Sequence, residues 1–474
     1  MTRIVRSSSE GVVLKMQDSL IRQEDKVKEK VDIDDLFSAL GVGKFQLCLF
    51  CFTGLACSGD AAEVNLLGYL GSLLEDEWHL EGWETASISS IVFAGEFLGG
   101  FLWGIMADRC GRKKAFIAST TTTVIFGLLS ALSVNFWMLF VCRGMVGIGI
   151  AGLLVPFDLM LEMMPSNWRR VFGLYNALFW ACGSIYVSVI AMTTVESLGW
   201  RWLTALISVP MVIVLLGCYW LPESPRWLIE HGRYAEAEEV IHRMAAFNGT
   251  EHKLPKNFQL TRSAQEMPKT ATEVKTAIWD DSKGLTCLML FCWFAFGFSY
   301  YGVILFDEKV FPAPENAKFD YQSKFIVACF EVIGIFVSHF IMKCGRGEIV
   351  QSFWFGVSGI MLLLLGAEFL PISLTVLCAG IARGAAYSAQ AILWIITPEH
   401  YPTNVRGTAH GVCFSASRLG CFVTPYWAAS GVPIFAITVL YCAINLGASV
   451  SSYILPNEKT MENEEKNSDF KQTL

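Results

Sequence analysis

The chain has 474 residues, of which 53% are hydrophobic and only 17% are charged. An ordinary soluble domain carries about 25% charged residues, so this composition excludes a soluble globular protein. Because one transmembrane helix needs about 20 apolar residues, the length allows about a dozen spans and predicts an all-α membrane protein. A formal charge of −7 without a basic block argues against nucleic acid as a partner.

Apolar runs, taken in chain order, predict twelve transmembrane helices with a polar connector after the sixth. Charge-free runs such as Val171–Val195 and Gly284–Phe306 each suit one helix. The run Leu419–Asn457 is long enough for two helices and must turn near Ala429. The predicted division is a polar segment at 1–44, a first six-helix bundle at 45–221, a connector at 222–283, a second six-helix bundle at 284–456 and a polar tail at 457–474.

Lys and Arg in the short loops predict the orientation of these helices. One set of short loops holds nine of these residues and the other set holds three. Since short cytosolic loops are enriched in Lys and Arg, we expect the connector and both termini on the cytosolic side. No apolar stretch precedes Phe45, so we expect the first span itself, and not a cleaved signal, to direct insertion.

Two sequence landmarks recur in the two halves of the chain and indicate an internal duplication. Glu162-x-x-Pro165-x-x-x-Arg169 follows the fourth predicted span, and Glu399-x-x-Pro402-x-x-x-Arg406 follows the tenth, 237 residues later. Arg143-Gly144 and Arg383-Gly384 recur at an offset of 240 residues. Such a duplication predicts two pseudo-symmetric bundles with a cavity between them near the middle of the membrane.

A glycine-bearing loop with one acid and four cations, residues 104–114, follows the second predicted span. We predict that Gly104 lets two helices approach closely and that the charged groups form ion pairs, which hold this face shut and separate when it opens. The alternative is a plain positive-inside anchor. The predicted gating residues are Gly104, Asp108, Arg109, Gly111, Arg112, Arg143, Glu162, Arg169, Glu223, Arg226, Arg383, Glu399 and Arg406.

Two carboxylates interrupt the first predicted span. Asp60 and Glu63 are three residues apart, which puts them on one face of a helix. A charge in the membrane interior costs about 2.5–3.5 kcal/mol, so each such residue calls for a partner or a role. Two close carboxylates suit proton coupling or capture of a cation. The alternative is a structural pair bonded to neighbouring hydroxyls and amides.

Several motifs resemble those of a known transporter family. The loop at 104–114, Arg143-x-x-x-Gly147-x-Gly149 and Pro222-Glu223-Ser224-Pro225-Arg226 are similar to signatures of the major facilitator superfamily, in its sugar-porter-like and organic ion transporter branch. Asp60-Ala-Ala-Glu63 resembles the synaptic vesicle two-related group within that branch. Leu159 stands where sugar porters carry tyrosine, which argues against a hexose substrate.

The resemblance implies a twelve-helix major facilitator fold with a central cavity lined by the fifth, seventh and tenth helices among others. It implies that aromatic residues of these helices form walls of the cavity on which a flat or cationic ligand stacks. It also implies a role for Arg418, whose guanidinium suits a carboxylate or phosphate ligand; the alternative is an internal partner for a buried acid. The predicted substrate or coupling residues are Asp60, Glu63, Trp180, Tyr300, Tyr387 and Arg418.

These features predict a secondary active transporter that moves a small organic ion across the bilayer by alternating access, with protons as the candidate coupling ion. We expect a monomer in the plasma membrane or an intracellular vesicle membrane, with no cofactor, no metal and no enzymatic activity. The alternative is a transporter-like protein of vesicle membranes that binds a ligand or regulates without turnover. The acids of the first span favour a cation and Arg418 favours an anion, so the charge of the substrate stays open.

Overall fold

The structure is a computed structural model that describes residues 29–255, 258–260, 276–280, 282–315, 317–367, 370–401 and 405–456. Nearly all of these residues are helical, as the composition predicts. The predicted terminal segments, 1–44 and 457–474, therefore lie mostly outside the described residues.

The first half contains a short helix followed by six membrane crossings. Its helices are α1 (Ile33–Leu40), α2 (Lys44–Trp78), α3 (Gly82–Cys110), α4 (Arg112–Ala131), α5 (Phe136–Ile150), α6 (Leu154–Glu162), α7 (Ser166–Leu198), α8 (Trp200–Ile207) and α9 (Val209–Gly217). A 3-10 turn at Ala151–Leu153 joins α5 to α6, so that these two form the fourth crossing. Helices α8 and α9 together form the sixth.

The second half repeats the arrangement after a connector. The connector contains α10 (Pro225–Glu230), α11 (Tyr234–Asn248), a 3-10 turn (Glu251–Lys253), a strand β2 (Phe258–Leu260) and a π-helical turn (Thr276–Asp280). The membrane helices that follow are α12 (Lys283–Val310), α13 (Tyr321–Cys344), α14 (Gly347–Leu365), α15 (Ile372–Glu399), α16 (Arg406–Ala429) and α17 (Ile434–Ile454).

Local sequence signals set several helix ends. The side chain of Asn135 accepts a hydrogen bond from the amide of Met138 at 2.9 Å and starts α5. Ser224 caps α10 in the same way. Gly111 separates α3 from α4 with φ of 104°, a conformation that favours glycine. The sharp bend that reverses the chain after the second crossing therefore depends on this glycine.

Eleven helical segments among the described residues are long and apolar enough to cross a membrane. Helix α16 is the one predicted span that does not meet this criterion, although its 24 residues are enough in length. Its composition is more polar because it contains buried residues such as Arg418, Ser417 and Thr424. It packs chiefly against α12 and α3, so these polar residues face other helices, whereas apolar residues such as Leu419 and Val423 are exposed.

Helix contacts recur in the two halves with an offset of six crossings. Helix α2 packs on α7 and α3 on α5, and likewise α12 packs on α16 and α13 on α15. The two halves meet along α3 with α16 and along α7 with α13, which are equivalent pairs under the same symmetry. The structure therefore consists of two pseudo-symmetric six-helix bundles.

Helix α1, strand β2 and the connector helices lie together on one side of the bundles, which we call the connector face; the other side is the distal face. A short strand β1 (Glu29–Val31) pairs in parallel with β2. Four apolar side chains of α1, among them Ile33 and Phe37, are buried in the same core as α11. At the other end of the described chain, the carbonyl of Pro456 contacts His400, at the connector end of α15. Both ends therefore reach one face, as an even number of spans requires.

A fully buried ion pair connects the first and fourth crossings. Arg143 donates from Nη1 to Glu63 Oε2 at 2.8 Å and from Nη2 to the Glu63 carbonyl at 3.0 Å. Ser208 donates to the other carboxylate oxygen at 3.1 Å, and both charged side chains are 0% exposed. In the second bundle, Arg383 pairs with Glu331 at 2.7 Å. Each bundle thus neutralises one buried carboxylate with one buried arginine.

We predict that Arg143→Met lowers the free energy of unfolding by about 3–5 kcal/mol, because it leaves Glu63 buried and unpaired. A double variant, Glu63→Leu with Arg143→Met, removes both charges and recovers most of this loss. The measurement is the thermal unfolding midpoint of the purified protein in detergent. Arg201→Met is the control, since its pair with Glu77 is about 40% exposed and an exposed pair contributes about 1 kcal/mol or less. A double variant no more stable than Arg143→Met would contradict this explanation.

Candidate functional site

A cavity lies between the two bundles near the middle of the membrane helices. It is lined by α2, α7, α15 and α16, together with residues of the fourth crossing. Its free volume is about 80 Å³, whereas one water needs about 10–15 Å³ on the same scale, so it holds several waters or a small organic group. Its polar, charged and aromatic lining residues include Asp60, Asn176, Trp180, Tyr387, Gln390 and Arg418.

The lining positions follow helical periodicity. On α2, residues Thr53, Cys57 and Asp60 recur at steps of four and three, so they share one face. Helices α7 and α15 contribute residues at the same spacing, for example Tyr387, Gln390 and Trp394. The side chains reach from the middle of each helix toward the connector face. Residues on one face of each long helix, some polar and others apolar or aromatic, therefore build the cavity.

Two charged residues line the cavity, Asp60 and Arg418. Arg418 already has a carboxylate partner, because its Nη1 lies 2.6 Å from Glu96 Oε2 of α3 in the other bundle. It also donates to the hydroxyl of Tyr301 at 3.3 Å. Asp60 Oδ1, by contrast, is buried and has no hydrogen-bond partner among the described residues. With Glu96 included, the site contains one more carboxylate than guanidinium.

Three further polar atoms at the cavity are buried without a hydrogen-bond partner among the described residues: Asn176 Oδ1, Gln390 Oε1 and Arg418 Nε. Most buried polar atoms in proteins have a partner, so a group of orphaned atoms calls for an explanation. A ligand or water in the cavity would supply the missing partners. Sequence analysis did not identify Asn176, because a neutral amide in an apolar helix carries no charge signal.

An aromatic wall faces these polar atoms. The rings of Trp180 and Tyr387 are stacked with centroids 6.3 Å apart and planes inclined by 21°. Trp180 donates from Nε1 to the hydroxyl of Tyr300 at 2.7 Å. Tyr300 itself is not among the residues that line the cavity, so it supports Trp180 from behind. Phe157 and Phe414, which sequence analysis missed, extend the wall toward the connector face.

A polar network crosses between the bundles beside the cavity. Tyr300 donates to Glu331 Oε1 at 2.7 Å, and Arg383 donates to the same oxygen at 2.7 Å. Arg383 also donates to Asn65 Oδ1 of the first bundle at 2.7 Å. Arg383 and Arg143 were predicted as gating residues that lie inside the tenth and fourth spans. The structure places both arginines in the membrane interior, where each neutralises a buried glutamate.

Asp60 and Glu63 do not share a site, although sequence analysis paired them. Asp60 lines the cavity between the bundles, whereas Glu63 is bound to Arg143 and Ser208 inside the first bundle. A separation of three residues turns the two side chains about 60° apart around the helix axis, which is enough to direct them to different neighbours. Of the two carboxylates, Asp60 is therefore the one available to a ligand in the cavity.

The predicted charged network at the connector face is present in the first bundle. Arg112 lies 2.8 Å from Asp108 and 3.6 Å from Glu162. Glu223 accepts hydrogen bonds from the amides of Lys113 and Ser224 at 3.1 and 3.0 Å. The side chain of Glu223 also fills the space next to Gly111, where a Cβ would collide with it. These contacts join the loop after the second crossing to the connector.

Asp34 of α1 joins this network, and sequence analysis did not find it. Its carboxylate contacts Arg169 Nη2 at 2.6 Å and also pairs with Arg226. Burial acts to raise the pKa of Asp34, but the charges of Arg226 and Arg169 outweigh it and hold the pKa below its usual value. The residue precedes the first span, where an acid in a polar segment is unremarkable, so only the folded chain reveals its partners.

The remaining predicted gating residues have different surroundings in the structure. Glu399 contacts Arg170 at 2.6 Å and links the two bundles at the connector face. The prediction for Gly104 is wrong, because a Cβ at this position would meet nothing within 4 Å and none of the described helices approaches there. Arg109 is exposed. The side chain of Arg406 lies outside the described part of the structure, as does Pro402 of the same motif.

Polar contacts join the two bundles at the distal face. Lys324 donates to the carbonyl of Gly68 at 3.1 Å and lies 4.4 Å from the centre of the Tyr69 ring. Glu196 accepts from the amide of Lys318 at 2.7 Å and from the hydroxyl of Tyr321 at 2.9 Å. Since the cavity extends toward the connector face, this conformation is closed on the distal side.

A buried histidine, His400, lies at the connector end of α15 beside a carboxylate. His400 Nε2 lies 3.4 Å from Glu348 Oε1, and its two ring nitrogens contact the carbonyls of Ile396 and Pro456. Burial acts to lower the pKa of His400, but its interaction with Glu348 and the carbonyls outweighs burial and raises the pKa. Arg346 lies near the same carboxylate at 3.5 Å.

We predict that stability falls as the pH rises above about 6.5 and passes through the raised pKa of His400. A histidine whose pKa is raised on folding stabilises the protein fully below its unfolded pKa of about 6.5 and loses this contribution as the pH passes the folded value. The measurement is the unfolding midpoint against pH for the wild type and for His400→Gln, which removes the titration. His339→Gln is the control. A pH dependence that is the same in the wild type and His400→Gln would contradict the assignment.

Comparisons with known proteins agree with this geometry. The sugar (and other) transporter family matches residues 64–453. The organic cation/carnitine transporter 7 of Arabidopsis thaliana is 30% identical over 419 residues, which covers 79% of this chain and 83% of the relative. The synaptic vesicle 2-related protein of Bos taurus is 33% identical over 401 residues, which covers 79% of this chain and 71% of the relative.

A solved structure has the same architecture. The xylose transporter XylE from E. coli, in a partially occluded inward-open conformation, aligns with a TM-score of 0.69 and covers 88% of this chain and 99% of its own. At 16% sequence identity this likeness concerns the fold alone. The predicted fold, an all-α membrane protein with two pseudo-symmetric six-helix bundles, is confirmed.

Proposed function

Because the chain belongs to the sugar (and other) transporter family of the major facilitator superfamily, we propose that it is a secondary active transporter of a small organic cation. Asp60 is the residue that binds the cation. The observation that carries this proposal is a buried carboxylate oxygen, Asp60 Oδ1, which lines the cavity between the bundles without a hydrogen-bond partner among the described residues.

The charge balance of the cavity supports a cation over an anion. Arg418 is the group that would attract an anion, but Glu96 already neutralises it at 2.6 Å. A carboxylate ligand would have to displace Glu96 and would then leave that acid buried and unpaired. A cation at Asp60 displaces no hydrogen-bond partner of Oδ1 among the described residues. The stacked rings of Trp180 and Tyr387 add a surface that attracts cations through their π faces.

Alternating access is the mechanism that this arrangement favours. The cavity lies between two bundles whose contacts are closed on the distal side, and the pair Arg170–Glu399 links them at the connector face. Breaking the pair Arg170–Glu399 while the distal contacts are kept opens the cavity to the connector face. Breaking the distal contacts while this pair is kept opens the cavity to the distal face. The predicted bundle boundaries, 45–221 and 284–456, with a cytosolic connector at 222–283, are part of this proposal, as is action by a monomer in a plasma or vesicle membrane.

Protons are the coupling ion that we propose, with Glu63 as the group that carries them. Proton binding would neutralise the Glu63 carboxylate and weaken its pair with Arg143, which holds α2 against α5. A change in packing between these helices would reach the cavity, because Asp60 lies on α2 as well. The relative named as an organic cation/carnitine transporter supports the substrate class but not the coupling ion.

We predict that Asp60→Asn reduces uptake of a small organic cation by about 100-fold or more. A unit charge about 4 Å away at an effective dielectric constant of about 20 attracts a cation by about 4 kcal/mol, which the neutral amide loses. The measurement is uptake of labelled 2-phenylethylammonium into proteoliposomes. Asp76→Asn is the matched control, since Asp76 lies on the same helix but is 72% exposed at the distal face and its loss leaves uptake unchanged.

The same assay distinguishes transport from binding without turnover. A transporter exchanges labelled substrate for unlabelled substrate inside the vesicle, whereas a transporter-like receptor raises the unfolding midpoint with the ligand but exchanges none. Exchange that is equal in the wild type and in Asp60→Asn would contradict the role of Asp60. Stabilisation by the ligand without exchange would contradict the transporter and favour the regulatory alternative.

We predict that Glu63→Gln abolishes the acceleration of uptake by a pH gradient and retains exchange at equal pH on both sides. The amide keeps the shape of the side chain but cannot bind and release a proton. The measurement compares initial uptake rates with and without the gradient. Glu75→Gln, an acid near the distal end of the same helix, is the control. A variant at Glu63 that still responds fully to the gradient would exclude this residue as the coupling group.

A further inference from the structure

Three oxygens of the cavity are hydrogen-bond acceptors that lack a donor in the part of the chain that the structure describes. They are Asp60 Oδ1 on α2, Asn176 Oδ1 on α7 and Gln390 Oε1 on α15, and each atom is buried. Two of these helices belong to the first bundle and one to the second. An acceptor that loses water to a ligand and gains no donor in return weakens binding by about 10-fold or more. The number of donors on the cation therefore decides how well it binds.

We propose that the cavity selects primary and secondary ammonium ions, which carry N–H bonds, over quaternary ammonium ions of the same charge. This inference rests on the cation transport proposed above. A primary ammonium offers three donors, which equals the number of orphaned acceptors. A quaternary ammonium satisfies the charge of Asp60 but leaves the amide oxygens of Asn176 and Gln390 buried without donors.

The rest of the cavity indicates the shape of the amine. Trp180 and Tyr387 present stacked rings on one side, and Phe157, Trp394 and Phe414 continue the apolar wall. These surfaces suit a flat apolar group attached to the ammonium. The cavity of about 80 Å³ limits this group to about the size of one ring in the present conformation.

One hydrogen-bond donor in the cavity has no acceptor among the described residues. It indicates which further group the ligand carries. Arg418 Nε is buried and has no hydrogen-bond partner among the described residues. A hydroxyl or carbonyl on the same amine would accept from it. A carboxylate would instead compete with Glu96 for the guanidinium, so amino acids and other zwitterions bind less well than amines that carry a neutral acceptor.

The experiment compares two probes that differ only at nitrogen, namely 2-phenylethylammonium and its N,N,N-trimethyl derivative. Their affinities are measured by inhibition of labelled 2-phenylethylammonium exchange in proteoliposomes. We expect the primary ammonium to bind about 100-fold more tightly, since two acceptors are left without donors in the other complex. Xylose and 3-phenylpropanoate serve as a neutral and an anionic probe in the same assay.

Variants test whether the preference for a primary ammonium depends on the amide oxygens of Gln390 and Asn176. Gln390→Met keeps the length of the side chain and removes the acceptor, so we expect it to weaken binding of the primary ammonium about 10-fold and to leave the trimethyl derivative unchanged. Asn176→Leu has the same expected effect. Gln351→Met is the matched control, because Gln351 of α14 is also buried with its side-chain amide unpartnered among the described residues, but it does not line the cavity.

The outcomes distinguish failure of this inference from failure of the proposed cation transport. Equal affinities for the two cations, or tighter binding of the trimethyl derivative, overturn the inference and leave cation transport standing. A preference that survives both Gln390→Met and Asn176→Leu also overturns it. If neither cation affects the protein up to millimolar concentration while 3-phenylpropanoate or xylose is exchanged, cation transport and this inference fail together.

Discussion

The pairing of Arg418 with Glu96 is the interaction on which the properties of the cavity depend. An arginine in the membrane interior requires a counter-charge, and here the counter-charge comes from the other bundle at 2.6 Å. The pair therefore joins the two bundles and also removes the positive charge that would otherwise dominate the site. What is left at the cavity is the carboxylate of Asp60, and the proposed preference for a cation follows from this one neutralisation.

The same requirement for a counter-charge applies to other charged residues of the membrane interior. Glu63 pairs with Arg143 in the first bundle, and Glu331 pairs with Arg383 in the second. In each pair the carboxylate and the arginine belong to the same bundle, so the pair fixes the helices of that bundle relative to one another, and Arg383 also reaches Asn65 of the first bundle. A buried pair adds little net stability, but the loss of one partner is expensive. Charge pairing in this protein thus makes the arrangement of helices unique more than it makes the fold stable.

Sequence patterns were sufficient for the fold and for part of the site. The apolar runs, the offset of 237 residues between the two Glu-x-x-Pro-x-x-x-Arg motifs and the charged loop at 104–114 predicted two six-helix bundles. Asp60 was identifiable because an acid inside an apolar run has a cost that calls for a role. Asn176 was not, since an amide carries no comparable signal.

Partners far apart in the chain account for what sequence patterns could not predict. Arg143 and Arg383 belong to repeated motifs, which suggested the gate, but their contacts with Glu63 and Glu331 depend on helix packing.

Asp34 illustrates how the segment before the first span enters the mechanism. Its carboxylate bridges Arg169 and Arg226, which hold the start of α7 and the start of the connector. Any movement of the first bundle relative to the connector must therefore stretch or break contacts of α1, a helix fixed by its own buried apolar face. Because Arg170 next to Arg169 pairs with Glu399 of the second bundle, the segment before the membrane lies one residue away from the contact that closes the connector face. In the proposed alternating-access mechanism, opening of that face is thus coupled to how α1 is held.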